Sequence, residues 1–329
     1  MTTYPHPSAG RRYELLGARR GRIVTTEHDD IGPNQVLIRV LTNGVCASDL
    51  AIWRQEHAPA PDQQLLGHEP CGQVVAVGHE SRLAPGSFVA GRVFPSFAEY
   101  VAADEQDLAL LPQGIDPRTA LGEPLGCVVE GLRRVRIELA DRVAVIGLGF
   151  MGLLAVQLLQ RSPAGHVVGI DLRAEARASA VANGATAAHS PTELPQVAVS
   201  DSSPRTGFDL VIEASGSQAG LSLAAELVRH HGTLSILGYH QGVRQVDMGM
   251  WNYKAIDVVN AHVRDRNLLR RSTERGLEAM AADHVDMEAL ITHRFTLDDV
   301  DQAFRTLENK PPGFIKAVID IGTDMDVCS

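Results

Sequence analysis

Between residues 141 and 262 short apolar runs alternate with amphipathic stretches. "RVAVIGLG" (142–149) is an apolar run ending in glycines, and "FMGLLAVQLLQR" (150–161) follows it with helical spacing. "HVVGIDL" predicts a second strand, and "RAEARASAVANGA" predicts a helix that Asn183 and Gly184 end. "FDLVIEASG" and "GTLSILGY" continue the series as strands, with "QAGLSLAAELVRHH" (218–231) as the helix between them. "AIDVVNAHV" predicts one more strand. Strands and helices of these lengths in alternation imply an α/β fold with a parallel, doubly wound sheet.

Residues 20–125 follow a different pattern. "QVLIRVLTNGV" and "CGQVVAVG" alternate or cluster β-branched residues between Gly, Pro and Asn breakers, as strands do. The tail "ITHRFTLDDVDQAFRTLENKPPGFIKAVIDI" reads as strand, helix, strand, and is expected to return to the first region. "SPTELPQVAVSDSSPRTG" (190–207) is the most loop-like stretch. The chain shows no internal repeat and no low-complexity segment.

Composition narrows the function classes. The 329 residues suffice for two domains, and 44% hydrophobic with 21% charged residues is ordinary for a globular protein. Thirty Lys and Arg against 40 Asp and Glu give a formal charge of -10, which argues against a nucleic-acid partner. The densest basic stretches, "GRRYELLGARRGR" and "RDRNLLRRSTER", are interrupted by apolar or acidic residues and read as solvated faces. The N-terminus lacks the apolar core of a secretory signal, and no run approaches the roughly 18 apolar residues of a membrane span. Four Cys, at 46, 71, 127 and 328, form no C-x-x-C pair, so the expectation is a reducing, cytoplasmic setting without disulfides.

Gly147, Gly149 and Gly152 stand in G-x-G-x-x-G spacing between an apolar strand and a helix. In that context the first permits a tight turn, the second lets a pyrophosphate approach the backbone, and the third lets helix pack on strand. Asp171 ends the next strand, 171 − 152 = 19 residues past the last Gly. A carboxylate there accepts hydrogen bonds from both ribose hydroxyls and repels a 2′-phosphate, which selects NAD. Arg173, two residues on, softens that choice by attracting a phosphate. The alternative to a dinucleotide site is a packing-driven glycine turn beside a surface Asp.

A second constellation lies upstream. "NGVCASDL" carries Cys46, Ser48 and Asp49, "LLGHEPCG" carries His68, Glu69 and Cys71, and "LGEPLGCVVEGL" carries Glu123, Cys127 and Glu130. Thiolate, imidazole and carboxylate make a mixed set suited to Zn²⁺. Cys71 reads as a small packing residue. Glu123 and Cys127, at i and i+4 on a helix, are rivals for completing the set.

The chain resembles the zinc-dependent medium-chain dehydrogenase/reductase superfamily, in its alcohol, polyol and threonine dehydrogenase branch. The segments that carry the resemblance are "GVCASD", "GHEPCGQVVAVG", "SFAEYV", "EPLGC", "GLGFMG" and "RFTLDDVDQAF", in the family's order across nearly the whole chain. It implies a β-rich GroES-like catalytic domain at 1–126, a Rossmann NAD-binding domain at 127–262, and a C-terminal segment at 263–329 returning to the first. It implies Cys46 and His68 as ligands of a catalytic zinc, with Glu69 and Glu123 as carboxylates binding or approaching it. Ser48 matches the family's proton-relay hydroxyl, and Asp49 the carboxylate that orients the ligating His. The family's lobe of four closely spaced Cys is missing, because "GSFVAGRVFPSFAEYV" runs straight through its place. One zinc per chain is therefore expected, with no structural zinc.

The reaction so implied is hydride transfer between a secondary alcohol, of polyol, sugar or cyclitol type, and NAD, by a homo-oligomer of two or four chains. Two other readings stand beside it: a zinc-free, NADPH-dependent enone or quinone reductase of the same superfamily, and a non-catalytic dinucleotide-binding sensor. Tyr239, His240, Trp251, Asn252, Asn260 and His262 are candidates for a polar pocket, His262 first, because ligands gather at the carboxyl ends of such strands.

Overall fold

The computed structural model describes residues 8–28, 30–56, 65–194 and 206–321. Cys328, the N-terminal segment to residue 7, and most of the expected 190–207 loop lie outside the described residues.

In chain order the elements begin with β1 (Ala9–Gly17), β2 (Arg20–Glu27), β3 (Gln35–Gly44), α1 (Ala47–Trp53), β4 (Pro70–Val77), β5 (Phe88–Gly91), β6 (Tyr100–Asp104), β7 (Leu108–Leu110) and α2 (Gly122–Arg133). The middle of the chain forms β8 (Arg142–Ile146), α3 (Phe150–Leu159), β9 (His166–Ile170), α4 (Ala174–Ala182), β10 (Ala187–His189), β11 (Phe208–Glu213), α5 (Gln218–Leu227), β12 (Val228–Ile236), α6 (Met248–Lys254) and β13 (Asp257–Asn260). The tail adds α7 (Arg266–Ala281), β14 (Ile291–Thr296), α8 (Val300–Asn309) and β15 (Lys316–Asp320).

Contacts divide the chain into two units. The first comprises residues 1–126, 265–283 and 287–329, and the second residues 127–264 and 284–286. The second unit includes the short piece 284–286, which its sequence did not signal. Gln157 ties that piece in: its amide nitrogen donates to the Asp286 carbonyl at 3.1 Å, and the Asp286 N–H donates to its amide oxygen at 2.9 Å.

In the first unit β1 and β2 pair antiparallel, and a larger sheet runs β14-β15-β3-β4-β5-β7, with β6 also pairing β3. β15 pairs antiparallel with β3, Val318 opposite Gly44 and Asp320 opposite Thr42, so the tail adds strands to this sheet. Trp53, Phe97 and Phe304 pack at its core, with α8 supplying Val300, Ala303, Phe304 and Leu307. The stretch "GRRYELLGARRGR" is less simple than a solvated face. It forms the β1–β2 hairpin, and its Tyr13 and Leu15 are buried. Asp301 accepts from the Tyr13 hydroxyl at 2.6 Å and the Trp53 indole at 2.8 Å, and burial with that acceptor pushes the Tyr13 pKa upward. "RDRNLLRRSTER" likewise forms most of α7, which buries Leu269, Thr273 and Leu277 while Arg266 pairs with Asp107 at 2.7 Å.

The second unit is a six-stranded parallel sheet in the order β10-β9-β8-β11-β12-β13. The order reverses direction between β8 and β11, which is where doubly wound sheets bind ligands. One sequence expectation fails here. The helix expected through His231 stops at Leu227, and Val228–His231 already belong to β12. Val228 pairs with Phe208 of β11, and the Lys254 ammonium closes the helix end by donating to the carbonyls of Ala225 (3.0 Å), Glu226 (2.6 Å) and Val228 (3.0 Å).

Candidate metal centre and nucleotide site

The candidate metal centre lies in the first unit where β3, α1 and β4 meet. Cys46 is the N-cap of α1, and the first turn of that helix carries Ser48 and buried Asp49. His68 and Glu69 end the loop that leads into β4. Gly67 adopts φ +92°, and a Cβ there would lie 2.7 Å from the Phe97 nitrogen, so a glycine is needed to aim His68 inward. Glu69 is fixed through its backbone: its N–H donates to Asn43 Oδ1 at 3.1 Å, and its carbonyl accepts from Gly44 N at 3.1 Å.

The ligand atoms of Cys46, His68 and Glu69 all lie within 4.8 Å of one another. His68 Nδ1 is 3.2 Å from Asp49 Oδ1, which leaves Nε2 to face the other ligands, the arrangement found behind metal-bound imidazoles. Ser48 Oγ donates to Cys46 Sγ at 3.4 Å. Burial opposes a charge on His68, but Cys46 and Asp49 carry its pKa well above the usual value. Thiolate, imidazole and carboxylate this close together make a donor set that suits Zn²⁺.

Lys316 was not among the sequence candidates. It stands on β15, 5% exposed, and its Nζ donates to Glu69 Oε2 at 2.6 Å. Burial would raise the Glu69 pKa, but the Lys316 ammonium and His68 hold it low, and the ammonium is held protonated in return by Glu69 and Cys46. The signal was a lysine inside the apolar strand "GFIKAVI", where an unpaired cation is costly. Gly44 makes room for this pair, since a Cβ there would sit 1.8 Å from Glu69 Oε2.

Glu123 occupies the first turn of α2, 9% exposed, and its charge bears on Lys316. It does not fall within the close group of Cys46, His68 and Glu69. Cys127 is half-buried further along the same helix, and Cys71 is fully buried among Ala90, Ala109, Ala120 and Leu277, where burial drives its thiol pKa up.

In the second unit the turn from β8 to α3 has the geometry a dinucleotide requires. Gly147 has φ +90° and packs on Ser215, whose nitrogen a Cβ would approach to 2.6 Å, and a Cβ on Gly152 would meet the Gly147 carbonyl at 2.0 Å. A Cβ on Gly149 would meet nothing within 4 Å, so the space over this residue is open, as a pyrophosphate needs. Asp171 follows β9 directly, and the Leu148 N–H donates to its Oδ2 at 2.8 Å.

The structure also joins residues that sequence reasoning left apart. Buried Glu213 ends β11, and its Oε1 accepts from the backbone N–H of Ser215 (2.8 Å) and Gly216 (3.0 Å), while Oε2 is 2.7 Å from His240 Nε2. Arg244 Nε donates to His240 Nδ1 at 3.0 Å. The ring therefore carries its proton on Nε2, and the chain of bonds braces the Ser215 loop against the glycine turn. Of the expected pocket residues, Tyr239, His240, Asn260 and His262 line a cavity of about 490 Å³ with Arg134 and Arg264. Trp251 and Asn252 do not line it. They lie on α6, and Trp251 packs on the unit's core.

The family model for "Zinc-binding dehydrogenase" matches residues 151–282, and that for "Alcohol dehydrogenase GroES-like domain" matches residues 32–113. The chain belongs to the zinc-dependent medium-chain dehydrogenase/reductase superfamily. The L-threonine 3-dehydrogenase of Anaeromyxobacter dehalogenans (strain 2CP-C) is 26% identical over 94% of this chain and 98% of its own length. Among solved structures, one described as a zinc-binding dehydrogenase from Sinorhizobium meliloti 1021 bound to NADP aligns with TM-score 0.83 and 24% identity, over 95% of this chain and 100% of its own. Galactitol-1-phosphate dehydrogenase from Escherichia coli aligns with TM-score 0.82 and 22% identity, over 94% of this chain and 99% of its own. The likeness to solved structures fixes the fold of the dehydrogenase as a GroES-like β-rich domain with a parallel Rossmann-type sheet.

Proposed function

We propose that this dehydrogenase oxidises a secondary alcohol on a hydroxyl-rich substrate of polyol, sugar or cyclitol type, with NAD as hydride acceptor. The observation that carries the reading is the convergence of Cys46, His68 and Glu69 within 4.8 Å, beside Ser48 and Asp49. Cys46, His68 and Glu69 would hold the zinc, with Glu123 as the further carboxylate, and Gly147, Gly149, Gly152 and Asp171 would hold the dinucleotide. Zinc supplies Lewis-acid chemistry that lowers the pKa of an alcohol, and NAD accepts the hydride.

The chain's own residues do the remaining work. Asp49 holds His68 with Nδ1 protonated, so Nε2 keeps its lone pair for the metal. Ser48, whose hydroxyl lies beside Cys46 Sγ, receives the substrate proton and passes it outward. Lys316 holds Glu69 ionised. The similar threonine dehydrogenases support a substrate with several polar groups over a simple aliphatic alcohol.

An NAD-coupled screen of polyols, sugars and cyclitols tests the reading, with Ser48→Ala as the control. Turnover on at least one, reduced about 100-fold in kcat by Ser48→Ala, is the expected result. Dinucleotide binding without turnover across the panel would count for the sensor instead.

A further inference from the structure

The cavity of about 490 Å³ beside β12 and β13 lies wholly in the second unit, at the carboxyl ends of its strands, where ligands of a doubly wound sheet gather. What its wall still offers is nearly all donors. Arg134 Nη1 donates to the carbonyls of Asn260 and His262, which anchors the guanidinium and leaves Nε and Nη2 without a partner among the described residues. The Arg264 side chain has no hydrogen bond or ion pair among the described residues. Asn260 Oδ1 accepts from the His262 N–H at 3.1 Å, so its amide Nδ2 is the free end. His262 Nε2 stands 3.2 Å from the Gly238 carbonyl, which can only accept, so that nitrogen carries the proton and Nδ1 is left as an acceptor. His240 is engaged on both sides, by Glu213 and by Arg244. The carbonyls of Gly238, Asn260 and His262 are thus covered, while two guanidiniums and an amide remain to donate. No described Asp or Glu lines the cavity, on a chain whose formal charge is -10.

We propose that the alcohol oxidised by this dehydrogenase carries an anionic group, a carboxylate or a phosphate monoester, and that Arg134, Arg264 and the Asn260 amide recognise it in this cavity. An anion supplies acceptors to donors that lack them, and a guanidinium meets either group with a bidentate fork. The dinucleotide does not supply that anion. Its pyrophosphate is assigned to the open space over Gly149, and no residue of the β8–α3 turn lines the cavity. Its nicotinamide ring is cationic in NAD⁺ and gains nothing from two arginines. The volume is that of a small-molecule site. Both arginines are exposed, so each contributes modestly and the preference for an anion comes from the two together. The inference rests on the dehydrogenase reading and narrows its substrate class.

The test is an NAD-coupled assay of matched sets, each neutral polyol or sugar beside its phosphate monoester and its carboxylate counterpart. It is run on the wild type, Arg264→Gln, Arg134→Gln and the double variant. In at least one set an anionic member should exceed its neutral counterpart about tenfold in kcat/KM, through KM, and the better anion tells carboxylate from phosphate. Each single variant should lower that preference about two- to fivefold, the scale of an exposed ion pair, and the double variant should abolish it. Calorimetric titration of the NADH-bound protein with the same pair should show the difference in Kd. Neutral members turned over as well as their anions, or a preference that survives in the double variant, would overturn the proposal while leaving the dehydrogenase reading intact. Turnover of no member by protein that binds NADH would remove both. Arg264 has no partner to lose among the described residues, so Arg264→Gln should melt like the wild type and stays informative if Arg134→Gln does not fold.

Discussion

Lys316 and Glu69 form a buried ion pair at 2.6 Å. Replacing Lys316 removes the larger of the two charges that hold Glu69 ionised and leaves His68, a loss of up to roughly 3–5 kcal/mol. Lys316→Met should therefore lower the stability of chelator-treated protein by that order in urea denaturation, and a loss below about 1 kcal/mol would show that the pair is not a structural requirement. This pair also marks the limit of what the residues alone reveal. His68, Glu69 and Cys46 are legible because they fall in two short segments whose residue types suit a metal. Lys316 is not, because it meets Glu69 across 247 positions and only strand pairing brings it there. The Glu213–His240–Arg244 chain was hidden for a similar reason: His240 was a pocket candidate, but its partner Glu213 lies 27 positions away and only the fold brings them together.

At the scale of elements, the β8–α3 turn separates two roles of glycine. Gly149→Ala places its Cβ in open space at a backbone conformation any residue adopts, φ −83° and ψ −168°. It should melt like the wild type and lose dinucleotide affinity. Gly152→Ala drives a Cβ into the Gly147 carbonyl and should lower the melting temperature as well. Equal melting losses in both would contradict the assignment. A second element-level device is Asp209 on β11, which accepts from Arg142 N on β8 at 2.8 Å and from Arg229 Nε on β12 at 2.6 Å, clamping three adjacent strands. Burial raises its pKa, but these donors hold it below the ordinary value. A carboxylate depressed in the folded state stabilises above its unfolded pKa of about 3.9, and that contribution fades as pH falls through the lower folded value. Asp209→Ala should thus cost about 1–3 kcal/mol at pH 7 and much less near pH 3, read from urea midpoints at both. Strands such as β8, β9 and β11 were plain in the sequence because an apolar run between turn residues is a local signal. The early start of β12 was not, because Val228–His231 continue a helical pattern and become strand only through pairing with β11 and the cap from Lys254.

At the scale of the whole molecule, the first unit is assembled from both ends of the chain. β15, α8 and β14 come from the tail, yet β15 lies beside β3 and carries the lysine that faces the metal centre. Among the described residues no helix is long and apolar enough to cross a membrane. The account as a whole rests on a single catalytic zinc held by Cys46, His68 and Glu69, with no second metal elsewhere. Elemental mass spectrometry of protein purified without chelators, wild type beside Cys46→Ser, tests this most directly. The expected result is about one zinc per chain in the wild type and almost none in the variant, as for a three- or four-ligand site that loses its thiolate. A wild-type protein without zinc, or one whose zinc survives Cys46→Ser unchanged, would contradict it.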